Sequence, residues 1–246
     1  KAILPVHLYG VPALPMSGIV ARHYRLTGRQ VMVVEDCAEA LGAGAGARHV
    51  GQDGDAAAWS FYGSKAITTG GEGGAVSYSS TMIGDRAWHL AHQGQTNFRY
   101  VHDCLAWNYR MTEVQAAFGA AQMRRLWEFH HKRRKVFEWY DSRLAGRVER
   151  QGIRDGCQHG YWAYAIKLPM SAFRAEVAQA LLDAGVETRP VFPPLWRQRH
   201  LLDLGEMTPN AAMISQQGLV LPTHAGLTEE DVDKVCKELI RALESS

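Results

Sequence analysis

The six residues Val31-Met32-Val33-Val34-Glu35-Asp36 form a short apolar run that ends in two acidic side chains. Such a run, rich in valine and bounded by polar residues, is typical of a strand buried on both faces of a parallel sheet. Asp36 would then lie at the carboxyl end of that strand, which is the edge where open α/β sheets bind their ligands. The run therefore predicts an α/β fold and places an acid where a site is expected.

The residues before this strand complete a parallel unit. Ile3–Leu8 is another apolar run, flanked by Gly10 and Pro12, and we predict a buried strand there. Ser17–Leu26 is predicted to be a helix that ends at Gly28. Strand, helix and strand in this order indicate a parallel βαβ unit.

Two more strands are predicted after Asp36, at Ala56–Phe61 and Gly74–Tyr78. Lys65 lies between them, and the glycine-rich stretch Gly70–Gly74 leads into the second. Lys65 thus follows a buried strand and is flanked by small residues, unlike a lysine on a solvated helix face.

The rest of the chain predicts a second, smaller domain. A capping box at Thr112–Gln115 begins a helix that could run to about Leu144, and its length suggests a link between domains. Beyond it we predict a half-buried strand at Tyr161–Leu168, a helix at Ser171–Ala184 and a final helix from Thr228 to about Leu243. The predicted domains are residues 1–125, and residues 126–246 with the linking helix and a C-terminal α+β unit.

Composition excludes several classes of protein. With 246 residues, 46% of them hydrophobic, the chain can bury a conventional core and is not a disordered or fibrous protein. Its 27 basic and 25 acidic residues leave a net charge of +2, too weak to indicate a polyanionic partner. The four cysteines form no CxxC pair, and no apolar run approaches the roughly 20 residues that span a bilayer. We therefore expect a cytoplasmic protein without membrane contact.

Asp36 and Lys65 together match the needs of one cofactor. Pyridoxal phosphate requires a lysine amine for a Schiff base and a carboxylate that keeps its ring nitrogen protonated. Its phosphate requires hydroxyl and backbone N–H donors, which Ser60 and the turn after it could supply. Taken alone, an acid in the position of Asp36 is more often a cap for the next turn, and most lysines like Lys65 are exposed loop residues.

Six segments resemble the sugar aminotransferase family called DegT/DnrJ/EryC1/StrS, most closely its perosamine synthase branch. They are Pro5-Val6-His7-Leu8-Tyr9-Gly10, Glu35-Asp36-Cys37-Ala38-Glu39-Ala40-Leu41-Gly42-Ala43, Ser60-Phe61-Tyr62-Gly63-Ser64-Lys65, Glu72-Gly73-Gly74, Asn108-Tyr109-Arg110-Met111-Thr112 and Glu187-Thr188-Arg189-Pro190-Val191-Phe192-Pro193-Pro194. The resemblance implies fold type I, the aspartate aminotransferase architecture, in a homodimer with active sites at the subunit interface.

The resemblance also implies a role for individual residues. Lys65 would be the Schiff-base lysine and the proton-transfer base, and Asp36 would pair with the pyridine nitrogen. Ser60 would bind the phosphate, Asn108 would reach the phosphate of the neighbouring subunit, and Glu39 would lie close to the cofactor ring. Two residues are expected on the substrate side, with no metal in the site: Arg189 and His7.

The implied reaction moves an amino group from glutamate to a nucleotide-linked 4-keto-6-deoxy sugar, in aminosugar biosynthesis for a polysaccharide such as O-antigen or for a glycosylated metabolite. A related branch replaces the lysine with histidine and deoxygenates its sugar, so Lys65 favours transamination. The chain departs from the family in two ways. It lacks the long N-terminal segment before the first strand, which predicts an N-terminally truncated chain, and Gly70-Gly71 stands where the family has one glycine.

The sequence is also compatible with three other functions of the chain. The chain could be a non-catalytic sensor or structural domain that keeps the fold, or an inactive truncated fragment. The basic run His130–Lys135 could bind nucleic acid, although such a run is usually a solvated helix face. His89 and His92 share one face of a predicted helix, but no set of residues has a recognised metal-ligand spacing, and a surface or structural role is expected.

Overall fold

The computed structural model describes residues 2–201 and 207–245. The strands, in chain order, are β1 (Ala2–Ile3), β2 (Met32–Asp36), β3 (Gly44–Ala45), β4 (Arg48–His49), β5 (Ala56–Ser60), β6 (Gly74–Tyr78), β7 (Glu149–Arg150), β8 (Cys157–Gln158), β9 (Tyr164–Lys167), β10 (Arg189–Pro190) and β11 (Gly218–Leu221). The helices are α1 (Ser17–Thr27), α2 (Thr81–Ala91), α3 (Glu113–Met123), α4 (Leu126–Leu144), α5 (Arg174–Asp183), α6 (Pro209–Gln217) and α7 (Glu229–Glu244).

The chain forms two compact units. The first consists of Lys1–His130 and Ile153–Trp162, and the second of His131–Gly152 and Ala163–Ser246. The first boundary between the units falls within α4. The ten-residue segment Ile153–Trp162, later in the chain, returns to the first unit.

The first unit contains a four-stranded sheet of order β1-β2-β5-β6. The strands β1, β2 and β5 run parallel, whereas β6 is antiparallel to β5. Asp36 and Ala58 are partners in the β2–β5 register, so β2 and β5 end at the same edge. The predicted α/β fold with a mostly parallel sheet is confirmed, and the helix α1 ends at Gly28 in the left-handed conformation, as the sequence indicates.

The prediction of a strand over Ile3–Leu8 is wrong in its extent. Only β1 is a continuous strand there, followed by an isolated bridge between Val6 and Asp36 and a 3₁₀ turn over Leu8–Gly10. Pro5 explains the interruption, because it has no N–H to donate to a ladder. Its carbonyl still accepts a hydrogen bond from the Asp36 N–H at 2.8 Å, which holds this segment against the end of β2.

The single long helix predicted from Thr112 to Leu144 is also wrong. Thr112 does form the predicted capping box with Gln115, but α3 ends at Met123 and α4 begins at Leu126. Between them the Arg125 N–H donates to the Gln122 carbonyl, three residues earlier, and this tighter bond replaces the regular helical ladder. The capping box fixes where α3 begins but carries no signal for where it ends.

The second unit has an antiparallel sheet of order β10-β11-β9-β7. Its last helix, α7, begins with a capping box between Thr228 and Asp231. The helix buries one face at helical spacing through five residues, which are Val232, Val235, Cys236, Leu239 and Ala242. Among the residues that the structure describes, no helix combines the length and apolarity needed to cross a membrane.

Candidate functional site

The site begins where β2 and β5 end at their common edge. Beyond Asp36 the chain turns sharply, and the Cys37 N–H donates to the Ala58 carbonyl of β5 at 2.9 Å. A cluster of small buried side chains supports this turn; it comprises Cys37, Ala40, Ala43, Val50 and Ala57, with Trp59 packed against it. Because these side chains are small, the turn packs closely against the sheet and fixes the residues that it carries.

Lys65 lies in the turn that follows β5. Its backbone N–H donates to the Tyr62 carbonyl at 3.0 Å, and its side chain is only 15% exposed. The Lys65 Nζ lies 3.6 Å from Glu39 Oε1 and 4.2 Å from the centre of the Trp162 ring. A lysine held inside the protein between a carboxylate and an aromatic face is unlike an ordinary surface lysine.

Glu39 lies on the turn after β2 and is buried. Its Oε2 accepts a hydrogen bond from the Tyr9 N–H at 2.8 Å. Burial raises the pKa of Glu39 by more than the Tyr9 hydrogen bond and the charge of Lys65 lower it. The negative charge of Asp36 also raises the pKa of Glu39.

Asp36 and Ser60 occupy the strand ends as the sequence predicts. Asp36 is half-buried, and its Oδ1 accepts the Ala38 N–H at 3.0 Å, while its backbone is held by Pro5 and His7. Ser60 is the last residue of β5, and its hydroxyl oxygen accepts the Tyr62 N–H at 3.3 Å. Both side chains therefore end at the sheet edge that carries the turns of Glu39 and Lys65.

His7, expected on the substrate side, is buried and already has a partner at each ring nitrogen. Its Nε2 lies 2.9 Å from Glu35 Oε2, and its Nδ1 accepts the Ala13 N–H at 3.0 Å. The second bond requires an unprotonated Nδ1. The Nε2–H group of the ring therefore donates a hydrogen bond to the Glu35 carboxylate. The structure thus makes His7 part of a hydrogen-bond network behind Asp36.

The remaining two predicted residues lie elsewhere. Asn108 is exposed on the loop after α2, where its Oδ1 accepts the Arg110 Nε–H at 3.2 Å. Arg189 is exposed in β10 of the second unit. The roles of both residues stay predictions.

Trp162 is a site residue that the sequence did not indicate. The sequence places it at the start of a half-buried strand, whereas β9 begins only at Tyr164 and Trp162 belongs to the first unit. Its ring N–H donates to the Ser64 carbonyl at 2.9 Å across 98 positions of the chain. No local pattern signals such a contact, and only the path of the segment 153–162 back to the first unit creates it.

The doubled glycine does not separate Lys65 from Glu39. The loop after Lys65 closes through Thr69, whose N–H donates to the Phe61 carbonyl and whose hydroxyl donates to the Glu72 carbonyl. Gly70 has φ +88°, a conformation that glycine adopts without strain, and Gly71 forms a bridge with Tyr62. The loop therefore accommodates the pair at its outer end.

Within residues 2–201 and 207–245, two groups of side chains have the composition of a metal site. They are His7, Glu35 and Cys37, and His89, Asp103 and Cys104, with the ligand atoms of each group within 4.8 Å of one another. In the first group the Glu35 oxygens accept hydrogen bonds from His7 and three backbone N–H groups, and burial raises the pKa of Cys37. In the second, Arg86 Nη1 lies 3.8 Å from Cys104 Sγ. Neither arrangement favours a cation, because each already has protein donors at its ligand atoms.

The basic run His130–Lys135 is not uniformly a solvated face, which corrects that interpretation. His130 is buried and hydrogen-bonded to the His159 carbonyl. Arg133 is buried too, its Nη1 donates to the Thr223 carbonyl, and burial lowers its pKa to about 10. Two of the six side chains therefore serve the protein interior, which weakens the run as a binding surface for a polyanion.

Known proteins resemble this chain over nearly its whole length. The sequence profile of the DegT/DnrJ/EryC1/StrS aminotransferase family matches residues 1–240. GDP-perosamine synthase of Caulobacter vibrioides is 37% identical over 99% of the chain and 66% of its own length, and that of Escherichia coli O157:H7 is 35% identical over 97% and 65%. The crystal structure of the aminotransferase TlmJ from Streptoalloteichus hindustanus superimposes with a TM-score of 0.86, at 28% identity, over 100% of the chain and 66% of its own. The chain thus spans just under two thirds of these relatives.

Proposed function

The chain belongs to the DegT/DnrJ/EryC1/StrS aminotransferase family, and on that premise we propose that it acts as a pyridoxal phosphate-dependent aminotransferase on a nucleotide-linked keto sugar. One observation carries the proposal. The Lys65 amine is held inside the protein, beside Glu39, at the sheet edge where Asp36 and Ser60 end. An amine, an acid and a hydroxyl at one edge form the donor set that the cofactor needs.

The residues fit the cofactor in their chemistry. Pyridoxal phosphate supplies an aldehyde that condenses with amines and a protonated ring that withdraws electrons from the bonds of the attached carbon. Lys65 would supply the amine, Asp36 would face the ring nitrogen and Ser60 would bind the phosphate. Glu39 has a raised pKa and would act near the ring as a partner that can carry a proton.

Lys65 would have two tasks in this site. It would anchor the cofactor, and its free amine would accept and return the proton at the donor's α-carbon. The ion pair with Glu39 would keep the free amine within the site, because the carboxylate lies 3.6 Å from the Nζ atom. The hydrogen bond from the Ala38 N–H to Asp36 Oδ1 holds the Asp36 side chain at the end of β2, where it would face the ring nitrogen.

The substrates follow from the relatives. The family resemblance supports glutamate as amino donor and a nucleotide-linked 4-keto-6-deoxy sugar as acceptor, and the GDP-perosamine synthases at 35–37% identity support GDP as the nucleotide. We further propose a cytoplasmic homodimer whose sites are shared, with Asn108 reaching the partner's phosphate site and Arg189 and His7 on the substrate side. The product would be an aminosugar for a polysaccharide such as O-antigen. No nucleic-acid or membrane partner is proposed.

The test is to add pyridoxal phosphate to the purified chain and follow the yellow absorption band. We expect a band that borohydride fixes onto Lys65, located by peptide mass spectrometry, and that glutamate bleaches in the unreduced protein. Lys65→Ala should lose both, whereas Lys167→Ala, a control lysine paired with Glu149 in the second unit, should retain both. A band that forms equally in the Lys65→Ala protein would refute the proposal, and a stable band that glutamate leaves unchanged would indicate a non-catalytic binding domain.

A further inference from the structure

Trp162 contacts both Lys65 and the residue before it. The Lys65 Nζ lies 4.2 Å from the centre of the indole ring, within the range in which an ammonium is attracted to an aromatic face. The indole N–H donates to the Ser64 carbonyl, one residue before Lys65, at 2.9 Å. The ring is therefore fastened to the same turn that carries the amine, and its face lies against the end of the lysine side chain.

Lys65 and three neighbouring residues form a closed circuit of contacts. Trp162 stacks in parallel on Tyr9 with ring centres 6.1 Å apart and an angle of 8°. The Tyr9 N–H binds the Glu39 carboxylate, which in turn pairs with Lys65. Each member thus has two neighbours in the circuit, and moving one of them disturbs the position of the amine.

The backbone on both sides of this circuit adopts a conformation that non-glycine residues rarely take. Tyr9 has φ +56° and Tyr161, next to Trp162, has φ +50°. The two segments are joined by a hydrogen bond from the Gly160 N–H to the Gly10 carbonyl at 2.7 Å. A Cβ on Gly10 would lie 3.0 Å from the His159 ring, so glycine is needed for this approach. The local strain is maintained by the contacts that bring Tyr9 and Trp162 together.

We propose that Trp162 is a positioning residue for Lys65, which holds the free amine against the site whenever the amine is not bonded to the cofactor. This inference rests on the proposed function of Lys65. The lysine side chain has four rotatable bonds, and a flat ring fixed to its own turn restricts the rotamers that these bonds can adopt. The aromatic face also differs from Glu39 in its chemistry, because it attracts the ammonium but cannot take its proton.

The role of Trp162 complements that of Glu39. Because burial raises the pKa of Glu39, its carboxylate accepts a proton more readily than an ordinary glutamate and its attraction for the amine then falls. The indole face keeps its attraction at every pH at which the lysine is charged. The site therefore contains one partner that can exchange a proton with its surroundings and one that only holds the amine in place.

The experiment compares two apolar replacements of Trp162 in the cofactor-free chain. Trp162→Phe keeps an aromatic face and loses the N–H bond to Ser64, whereas Trp162→Leu keeps apolar cover and loses both. The chain is treated with hydroxylamine and dialysed, and the labelling of Lys65 by acetic anhydride is quantified by mass spectrometry. The rate is divided by that of Lys167 in the same sample, so a general change in the protein or reagent cancels. Tyr161→Phe, which alters the adjacent ring, is the matched control.

We expect the ratio of Lys65 to Lys167 labelling to rise about threefold in Trp162→Phe and about tenfold in Trp162→Leu, and to stay unchanged in Tyr161→Phe. If Trp162 only shields Lys65 from solvent, the labelling ratio should be equal in Trp162→Phe and Trp162→Leu, and that result would overturn the proposal. A wild-type ratio in both variants would overturn it as well. The result does not depend on the cofactor. If the wild-type chain never forms the yellow band, the proposed function fails while this ratio still decides the role of Trp162.

Discussion

Two glutamates four residues apart, Glu35 and Glu39, are both buried and both next to Asp36, yet their surroundings differ. Glu35 accepts hydrogen bonds from His7 and from the backbone N–H groups of Gly51, Asp53 and Gly54. Glu39 accepts one backbone hydrogen bond, from Tyr9, and pairs with the Lys65 amine. The same residue type is therefore fully hydrogen-bonded in one region and left with a reactive partner in the other.

The difference is visible in the two pKa values. Burial raises the pKa of Glu35, but the hydrogen bonds from His7, Gly51 and Gly54 outweigh it and the net pKa is lowered. For Glu39 burial prevails and the net pKa is raised. A carboxylate with complete hydrogen bonding is committed to its ionised form and serves the fold, whereas one with fewer donors remains able to exchange a proton.

The largest expected effect is on stability, from Glu35→Ala. Removal of the carboxylate leaves three backbone N–H groups and the His7 ring without their acceptor in a buried region. We expect the free energy of unfolding to fall by about 3 kcal/mol or more. Urea denaturation measures it, with Glu238→Ala in the surface ion pair with Arg241 as control. A loss no greater than that of the control would contradict the structural role of Glu35.

The second effect is on function, from Glu39→Gln. Because the raised pKa means that the charged form of Glu39 is disfavoured inside the protein, a neutral isostere should change the free energy of unfolding by less than about 1 kcal/mol. The rate at which glutamate bleaches the cofactor band should nevertheless fall by about tenfold or more, since the residue that can carry a proton beside Lys65 is lost. Stopped-flow absorbance measures this rate. An unchanged rate with a large loss of stability would reverse the comparison between the two glutamates.

The comparison also shows what a sequence can predict. The positions of Asp36, Ser60 and Lys65 were predictable because each lies at or just after the end of a recognisable strand, and strand ends of a parallel sheet share an edge. Trp162 was not, because its contact with Ser64 depends on a segment that returns from beyond α4. The separate fates of Glu35 and Glu39 were equally hidden, since they depend on which backbone N–H groups the loop after β4 directs inward.

Helix continuity and surface character were predicted less well for a related reason. Apolar periodicity reports which face of a helix is buried, but not whether one i−3 hydrogen bond interrupts the ladder, as it does at Arg125. The charged run on α4 was expected to be solvated because most such runs are. His130 and Arg133 depart from this because the carbonyls of His159 and Thr223 provide acceptors in the interior.

The third prediction concerns pH. The lowered pKa of Glu35 means that its contribution to stability is present above the unfolded value, near 4.5, and is lost as the pH falls through the lower folded value. The raised pKa of Glu39 has the opposite sign, so its ionisation reduces stability as the pH rises through the folded value. Thermal melting followed from pH 8 to well below pH 4.5 should show the difference in melting temperature between wild type and Glu35→Gln shrinking at the acid end, below the unfolded pKa. For Glu39→Gln, any advantage of the variant should grow with rising pH. Parallel curves for both variants would show that the two glutamates titrate alike.

The smallest expected effect is that of His7→Gln, and it refines the comparison by dividing the Glu35 network. A glutamine can still donate a hydrogen bond to Glu35, but it no longer accepts the Ala13 N–H at the position of Nδ1. With the three backbone donors of Glu35 intact, we expect a loss of about 1 kcal/mol in the free energy of unfolding, measured in urea. The same protein tests the proposed substrate role of His7, because a purely structural residue leaves the KM for the sugar nucleotide unchanged. A several-fold rise in KM at unchanged stability would instead place His7 on the substrate side, and Glu35 would then be a residue that orients a substrate ligand rather than one that serves only the fold.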